Sequence, residues 1–282
     1  MFPPSQEDES VKEFHHPVVW ASEPRPSRAK EIARSWWRPV VIATAVTVMT
    51  GALMHLHSGC EALPDFSEIT DPGERKAAFI AHLVPLVREA NHELEAPRAR
   101  LLAIDAGIEA GWPTGSMQRN FVRVSAERRG IAVGPVIDRA VLAELLQCVD
   151  SVPASLVIAQ AAIESGWGTS RFTREGNNLF GMRTYAPGAG LVPRKREAGE
   201  NFGVSTYPTV CDSIRGYIQN LNTDPCYREL RRIRAELRAE HKPVTGEALA
   251  DGLEAYSENG SDYVSFVRTI IADNDLGRFD LR

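Results

Sequence analysis

The sequence predicts an α+β fold that is mostly helical and carries one small β lobe. Apolar residues recur at helical spacing before residue 150 and again from Val210 onward. The stretch between them is rich in turn formers and alternates at 190–194 and 202–207, which is typical of a short hairpin. An uncharged run, Pro39–Leu56, adds one predicted transmembrane helix in front of the folded part.

The composition is that of a folded domain, and it argues against two classes of protein. The 282 residues carry a net charge of -5, whereas a nucleic-acid binder needs a concentrated basic surface. The four cysteines form neither a CxxC pair nor a zinc-type spacing with histidine. Two states are open for them: a bridge between Cys211 and Cys226, which bracket a predicted helix, or buried free thiols.

The N-terminal part predicts a tail and a membrane anchor. Residues 1–36 are rich in proline, serine and charge, so we expect them to be disordered. Residues 37–57 are expected to cross a membrane once, with Trp36 and Trp37 as interface anchors at the start. Basic residues precede this run and acidic residues follow it, which places the N-terminus in the cytoplasm. A cleaved signal peptide ending before Cys60 and a buried soluble helix are the alternatives.

Residues 58–150 are predicted to form a linker and a helical extension. Asp71, followed by proline and then glutamate, is a helix-start signal. A second helix is predicted over 93–108, punctuated by Pro97, and a third over about 137–149. We expect these helices to lead into the main domain.

The main domain is predicted to occupy residues 151–282 and to begin with SVPASLVIAQAAIESGWG. Ser151 is a candidate N-cap, and Pro153 suits the first turn of this helix. The helix is apolar and ends in Glu164, beside Trp167. A helix C-terminus and apolar cover both disfavour an ionised carboxylate, so we expect a raised pKa for Glu164. These features fit a catalytic acid, but a glutamate that caps a neighbouring loop would look the same.

The stretch AQAAIESGWGTSRFTREGNNLFGMR, residues 159–183, resembles the N-acetylglucosaminidases of glycoside hydrolase family 73. Those enzymes carry a helix ending in ESGWG or close to it, and then an N-x-F/L-F-G segment. The segments GLVPRKREAG and YSENGSDYV look closest to the bacterial Bax-like proteins of that superfamily. The resemblance covers roughly residues 73–276. It implies a lysozyme-like fold over 151–282 and Glu164 as general acid.

The resemblance also implies peptidoglycan as substrate, cut on the reducing side of N-acetylglucosamine. Combined with the predicted anchor, it implies a single-pass protein of the bacterial inner membrane, with its catalytic domain in the periplasm. Its partners would be glycan strands and that membrane, and not nucleic acid. The sequence contains no nucleotide loop, metal cluster or Ser–His–Asp pattern, so we expect no cofactor.

The second catalytic group has several candidates. Family members that have a second carboxylate place it on the β lobe, where Glu197 is the better match and Glu200 the alternative. Both would also suit a solvated hairpin tip. Assistance by the 2-acetamido group of the substrate is a third route, and Tyr256 matches the tyrosine that the family places near the catalytic glutamate.

The residues expected to line a saccharide groove are less specific than Glu164, because each also suits a structural role. Tyr256, besides its catalytic match, also suits the core. The predicted substrate contacts are Trp167, Asn177, Asn178, Phe180, Glu200 and Tyr207. Three other functions are also open: a muramidase or lytic transglycosylase, a wall-assembly protein that binds glycan with little turnover, and a glycoprotein-cleaving enzyme.

Overall fold

A computed structural model describes Cys60 and residues 63–194, 201–256 and 260–280. The predicted tail and anchor therefore lie outside the described residues. None of the helices within these described ranges combines the length and apolar character needed to cross a bilayer.

The described chain is mostly helical, with one two-stranded antiparallel sheet. This confirms the predicted proportions, and it is consistent with the lysozyme-like architecture that the resemblance implies. The helices and strands are α1 Pro72–Glu109, α2 Ser116–Glu127, α3 Arg139–Cys148, α4 Ala154–Ser165, α5 Arg171–Gly176, β1 Arg183–Thr184, β2 Gly203–Val204, α6 Val210–Thr223, α7 Arg228–Ala239, α8 Gly246–Leu249 and α9 Gly260–Asp273. Short 3₁₀ turns lie at Phe66–Glu68, Pro225–Tyr227, Ala250–Tyr256 and Leu276–Phe279.

Helix α1 begins where the sequence predicts, because the Asp71 side chain accepts a hydrogen bond from the Glu74 backbone. The predicted interruption at Pro97 is wrong, since α1 continues for 38 residues through both Pro85 and Pro97. Each internal proline removes a helical hydrogen bond. Burial of apolar side chains on both sides, such as Leu83 and Leu101, outweighs that cost.

Two apolar cores share α1. Its first half packs with α4, α6, α7 and α9 in the larger core, which surrounds the buried residues of helix α4. Its second half packs with α2 and α3 in a smaller core around Leu101 and Leu142. The first half of α1 is therefore part of the wall around α4.

Two local predictions are corrected. The N-cap of α4 is Pro153 and not Ser151, and the Asp280 carboxylate accepts the Ser155 amide instead, at 2.8 Å. The hairpin strands are β1 and β2, and the stretch 190–194 contributes only an isolated bridge from Leu191 to Val204. Gly190 makes this close approach possible, because an added Cβ would lie 2.4 Å from the Val204 carbonyl oxygen.

The cysteine prediction is also wrong in its pairing. Cys60 is bonded to Cys211, which lies 151 residues away in the first turn of α6. Cys148 and Cys226 are free, and Cys226 is exposed and not buried. The bond fastens the start of the described chain to the core around α4.

Candidate active site

Helix α4 carries the candidate acid, and its small residues explain its central position. Every residue from Ala154 to Ala162 is buried, and the alanines let neighbouring helices approach closely. Gly166 ends the helix in the left-handed region, with φ 58°. Trp167, also at φ 58°, donates its amide to the Ala162 carbonyl at 2.9 Å. The ESGWG segment thus ends the helix one residue after Glu164.

Glu164 is half-buried in the last turn of α4. Burial raises the pKa of its carboxyl group, because the charged form loses hydration. A hydrogen bond from the Tyr263 hydroxyl to Oε1, at 3.1 Å, partly opposes this rise. The pKa of Glu164 is therefore shifted upward, as the sequence predicts.

A chain of hydrogen bonds leads through the core to Glu164. The Tyr217 hydroxyl donates to Gln160 Oε1. Gln160 Nε2 donates to the Tyr263 hydroxyl at 3.1 Å, and that hydroxyl donates to Glu164. Because Tyr263 accepts from Gln160, its own proton is directed toward the carboxylate. Burial and the neighbouring Glu164 raise the pKa of Tyr263 well above its usual range, so it stays a donor.

The NNLFG segment reaches the same carboxylate through its glycine. A Cβ placed on Gly181 would lie 3.7 Å from Glu164 Oε2, and Gly181 has φ +64°. Asn178 holds this turn: its Nδ2 donates to the carbonyls of Met182 (2.9 Å) and Ser205 (2.8 Å). Its Oδ1 accepts from the amides of Phe180 and Met182. The segment therefore lies between the end of β2 and the Glu164 carboxylate of α4.

Tyr256, the predicted supporting tyrosine, lies close to the acid but does not bond to it. Its hydroxyl donates to the Phe180 carbonyl at 3.0 Å, and its ring stacks on Tyr263 with centroids 5.3 Å apart. Glu164 is near enough to contribute to the raised pKa of Tyr256, although burial is the larger cause. The tyrosine that contacts Glu164 directly is therefore Tyr263 and not Tyr256.

Two of the predicted substrate contacts have buried side chains. Asn178 is 1% exposed and its amide bonds to backbone, and Phe180 is 2% exposed and stacks on Tyr217 at 3.9 Å. Neither side chain presents a free surface to a sugar. Both shape the floor beneath Glu164, because they hold the NNLFG turn in place.

The other described candidates have structural partners as well. Asn177 donates to the carbonyls of Tyr207 and Pro208. The half-buried Tyr207 ring lies over Gly216, where an added Cβ would be 3.2 Å from its Cε1. Trp167 packs edge-on against Phe79, with centroids 5.8 Å apart. Direct contact of Trp167, Asn177 and Tyr207 with substrate stays a prediction.

The candidates for a second carboxylate, Glu197 and Glu200, lie outside the described residues. Within the described ranges, no acidic side chain forms a hydrogen bond with Glu164. Tyr263 and Gln160 are the site residues that the sequence reasoning missed. The available signal was Gln160, a polar residue one helical turn before Glu164 in an apolar helix, which requires a buried partner.

Taken together, the site has a half-buried acid with a raised pKa, an orienting tyrosine and a small sheet beside it. A carboxylic acid kept protonated can donate a proton to a leaving oxygen, as glycoside cleavage requires. The fold and site therefore define a candidate glycoside hydrolase with an acid on its central helix.

Comparison with known proteins gives the family. Residues 141–276 match the glucosaminidase family, described as mannosyl-glycoprotein endo-beta-N-acetylglucosaminidase. The chain is 32% identical over 213 residues to the protein Bax of Escherichia coli strain K12, covering 76% of this chain and 74% of Bax. The catalytic domain of the autolysin Auto from Listeria monocytogenes is also similar, with 22% identity and a TM-score of 0.35 over 60% of this chain and 99% of that domain. The chain belongs to the glucosaminidase family and is a glycoside hydrolase.

Proposed function

We propose that this enzyme is a peptidoglycan hydrolase of the endo-β-N-acetylglucosaminidase type. It cleaves the β-1,4 bond on the reducing side of N-acetylglucosamine, with Glu164 as general acid. The observation that carries the proposal is the Glu164 carboxyl group, half-buried at the end of α4 and bonded to Tyr263. Membership of the glucosaminidase family supports the choice of sugar.

The geometry supports the proton transfer in two ways. Burial favours the protonated carboxyl before the reaction, so Glu164 holds the proton that the glycosidic oxygen needs. As the proton leaves, a carboxylate forms, and the hydrogen bond from Tyr263 becomes charge-assisted and stronger. The bond therefore stabilises the transition state more than the ground state, which is what accelerates the reaction.

The group that acts beside the general acid in glycosidic cleavage has three candidates. A lobe carboxylate from Glu197 or Glu200 would act as nucleophile if it lay about 5 Å from Glu164, or as base for water at about 6.5–9.5 Å. The 2-acetamido group of the substrate is the third. Tyr256, whose hydroxyl donates a hydrogen bond to the Phe180 carbonyl, would then help to shape the space for the acetamido group. Separate Glu197→Gln and Glu200→Gln variants distinguish these routes, because only a required carboxylate abolishes turnover.

A lytic transglycosylase is the second candidate. It needs one catalytic acid, and the described part of the site supplies a single carboxylate in Glu164. Product analysis of purified sacculi decides between the two. Reducing ends of N-acetylglucosamine support the proposal, whereas anhydro-muramic or muramic reducing ends contradict it.

For localisation, we propose that residues 37–57 anchor the enzyme in the bacterial inner membrane, with its catalytic domain in the periplasm. The apolar run and its basic N-terminal flank support this orientation. The bond between Cys60 and Cys211 adds support, since disulfides persist in oxidising compartments. A reporter active only in the periplasm, fused after residue 282, tests it. An active reporter is expected, and release of the fusion from washed membranes would contradict the anchor.

A further inference from the structure

A concave site lies at the end of α4 that is remote from Glu164. This cavity of about 400 Å³ is bordered by α1, the start of α4 and the segment after α7. Helix α4 has twelve residues, so its two ends lie about 17 Å apart. The residues that line this cavity include none of those that contact Glu164. It is therefore a separate site, and the reaction proposed above does not use it.

The wall of the cavity carries more positive than negative charge. Asp150 is 2% exposed and accepts two hydrogen bonds of 2.6 Å from Arg238. Arg98 lies 3.2 Å from the same carboxylate and Arg234 lies 3.5 Å from it. Three guanidinium groups thus surround one buried carboxylate, and Arg98 and Arg238 line the cavity.

Two further cationic side chains stand at the cavity. Arg88 lines the cavity and forms no ion pair within the described ranges. Lys242 also lines the cavity, and its Nζ lies 2.7 Å from Oε2 of Glu240, which does not line it. Glu95 also lines the cavity and lies 2.9 Å from His92. Four basic residues therefore face two acidic ones, which leaves a formal excess of two positive charges: Arg88, Arg98, Arg238 and Lys242 against Glu95 and Asp150.

Hydrogen bonds within the protein hold Arg98 and Arg238 in place and leave some of their N–H donors unused. Arg98 Nη1 donates to the carbonyls of Leu146 (2.6 Å) and Val149 (2.9 Å), at the end of α3. Arg238 uses Nε and Nη2 on Asp150. In the described part of the chain, Nη2 of Arg98 and Nη1 of Arg238 form no hydrogen bond. Donors held in this way are preorganised for an anion, so binding loses little side-chain entropy.

The remaining wall is apolar and selects the kind of anion. Leu94, Leu102, Val244 and Phe279 contribute aliphatic and aromatic surface to the cavity. A bare phosphate would leave this surface unused, whereas a carboxylate on a short aliphatic backbone would cover it. Guanidinium groups also match a carboxylate in geometry, since both are planar and can pair through two hydrogen bonds.

We propose that this cavity is a binding site for the free carboxylate of a short peptide. Resting on the proposed function, the peptide is a stem of peptidoglycan, whose terminal alanines carry methyl side chains and a free carboxylate. The enzyme then holds a stem at one end of α4 while it cuts glycan at the other. The site distinguishes wall that carries free stems from wall whose stems are amidated or removed.

The test measures binding of N-acetyl-D-Ala-D-Ala to the full-length chain by calorimetry, at low salt. The C-terminal amide of the same dipeptide and inorganic phosphate are the comparison ligands. Arg88→Gln and Lys242→Gln remove exposed cationic groups without disturbing Asp150, and each is expected to raise Kd about fivefold. Arg228→Gln is the matched control, because Arg228 is exposed on α7 and lies outside the cavity.

The site is supported if the free acid binds, its amide binds at least tenfold more weakly, and the two cavity variants alone weaken binding. Equal binding of acid and amide overturns it, as does unchanged affinity in Arg88→Gln and Lys242→Gln. Tighter binding of phosphate than of the dipeptide overturns the peptide assignment. Measured in Glu164→Gln, binding is independent of turnover, so failure of the proposed hydrolysis and failure of this site are distinguishable.

Discussion

Replacing Tyr263 with phenylalanine isolates the contact that orients the acid. The substitution keeps the ring that stacks on Tyr256 and removes only the hydroxyl that donates to Glu164 at 3.1 Å. It also leaves Gln160 Nε2 without its acceptor. The acid then loses both its orientation and the group that stabilises its charged form.

The size of the effect follows from the hydrogen bond. A bond to a charged group contributes about 1.5–3 kcal/mol, and Glu164 is only half-buried, so we take about 1.5 kcal/mol. Since about 1.4 kcal/mol corresponds to a tenfold change in rate, kcat/KM should fall about tenfold. The sign of the pH effect follows too. The hydrogen bond from Tyr263 lowers the pKa of Glu164, so its loss raises that pKa. Because the reaction needs protonated Glu164, the fall of kcat/KM on the alkaline side of the pH–rate profile then moves to higher pH.

The assay is the release of soluble fragments from purified sacculi across a pH series. Tyr227→Phe is the control, because Tyr227 is equally a buried tyrosine of this cluster, yet it forms no hydrogen bond with Glu164 in the described structure. Its profile should match the wild type. A Tyr263→Phe profile that moves to lower pH, or keeps its full rate, would refute the role assigned to this hydroxyl.

Three further outcomes are expected. Glu164→Gln should be more stable than wild type at pH 7, because burial raises the folded-state pKa of Glu164. The difference in urea midpoint should vanish well below the ordinary pKa of a glutamate, about 4.3, where Glu164 is protonated in both the folded and the unfolded state. Cys60→Ser should lose about 2–5 kcal/mol of unfolding free energy, while exposed Cys226→Ser should lose none. Gly168→Ala should lose about 2–4 kcal/mol, because Gly168 has φ +81° and its Cβ would lie 2.4 Å from Phe66; equal thermal midpoints would contradict this.

The sequence predicted those parts of the fold that depend on local chemistry. The Asp71 cap and the helix over Arg139–Cys148 follow from side chains a few residues apart. The continuity of α1 through Pro97 depends on burial against distant helices, which no local pattern reveals. The disulfide partner of Cys60 lies 151 residues away, so only the folded chain selects Cys211 and not Cys226.

The same division holds in the candidate site. Glu164 and the glycines that follow it form one continuous motif, so the acid and its raised pKa were predictable. Its hydrogen-bond donor lies 99 residues away, in a segment that offers two tyrosines seven residues apart. Their order along the chain does not show that Tyr263 reaches the carboxylate while Tyr256 reaches a backbone carbonyl. The packing of α9 against α4 determines which of the two tyrosines reaches Glu164.

Whether Glu164 donates the proton in glycan cleavage is decided by a comparison of the wild type with a variant that has no acid at this position. Wild-type chain and Glu164→Gln are incubated with the same sacculi, and reducing ends and bound protein are measured in both. If Glu164 is the proton donor, turnover falls about 10²–10⁴-fold in Glu164→Gln while binding to sacculi persists. A variant that still cleaves at more than a tenth of the wild-type rate would show that another group donates the proton.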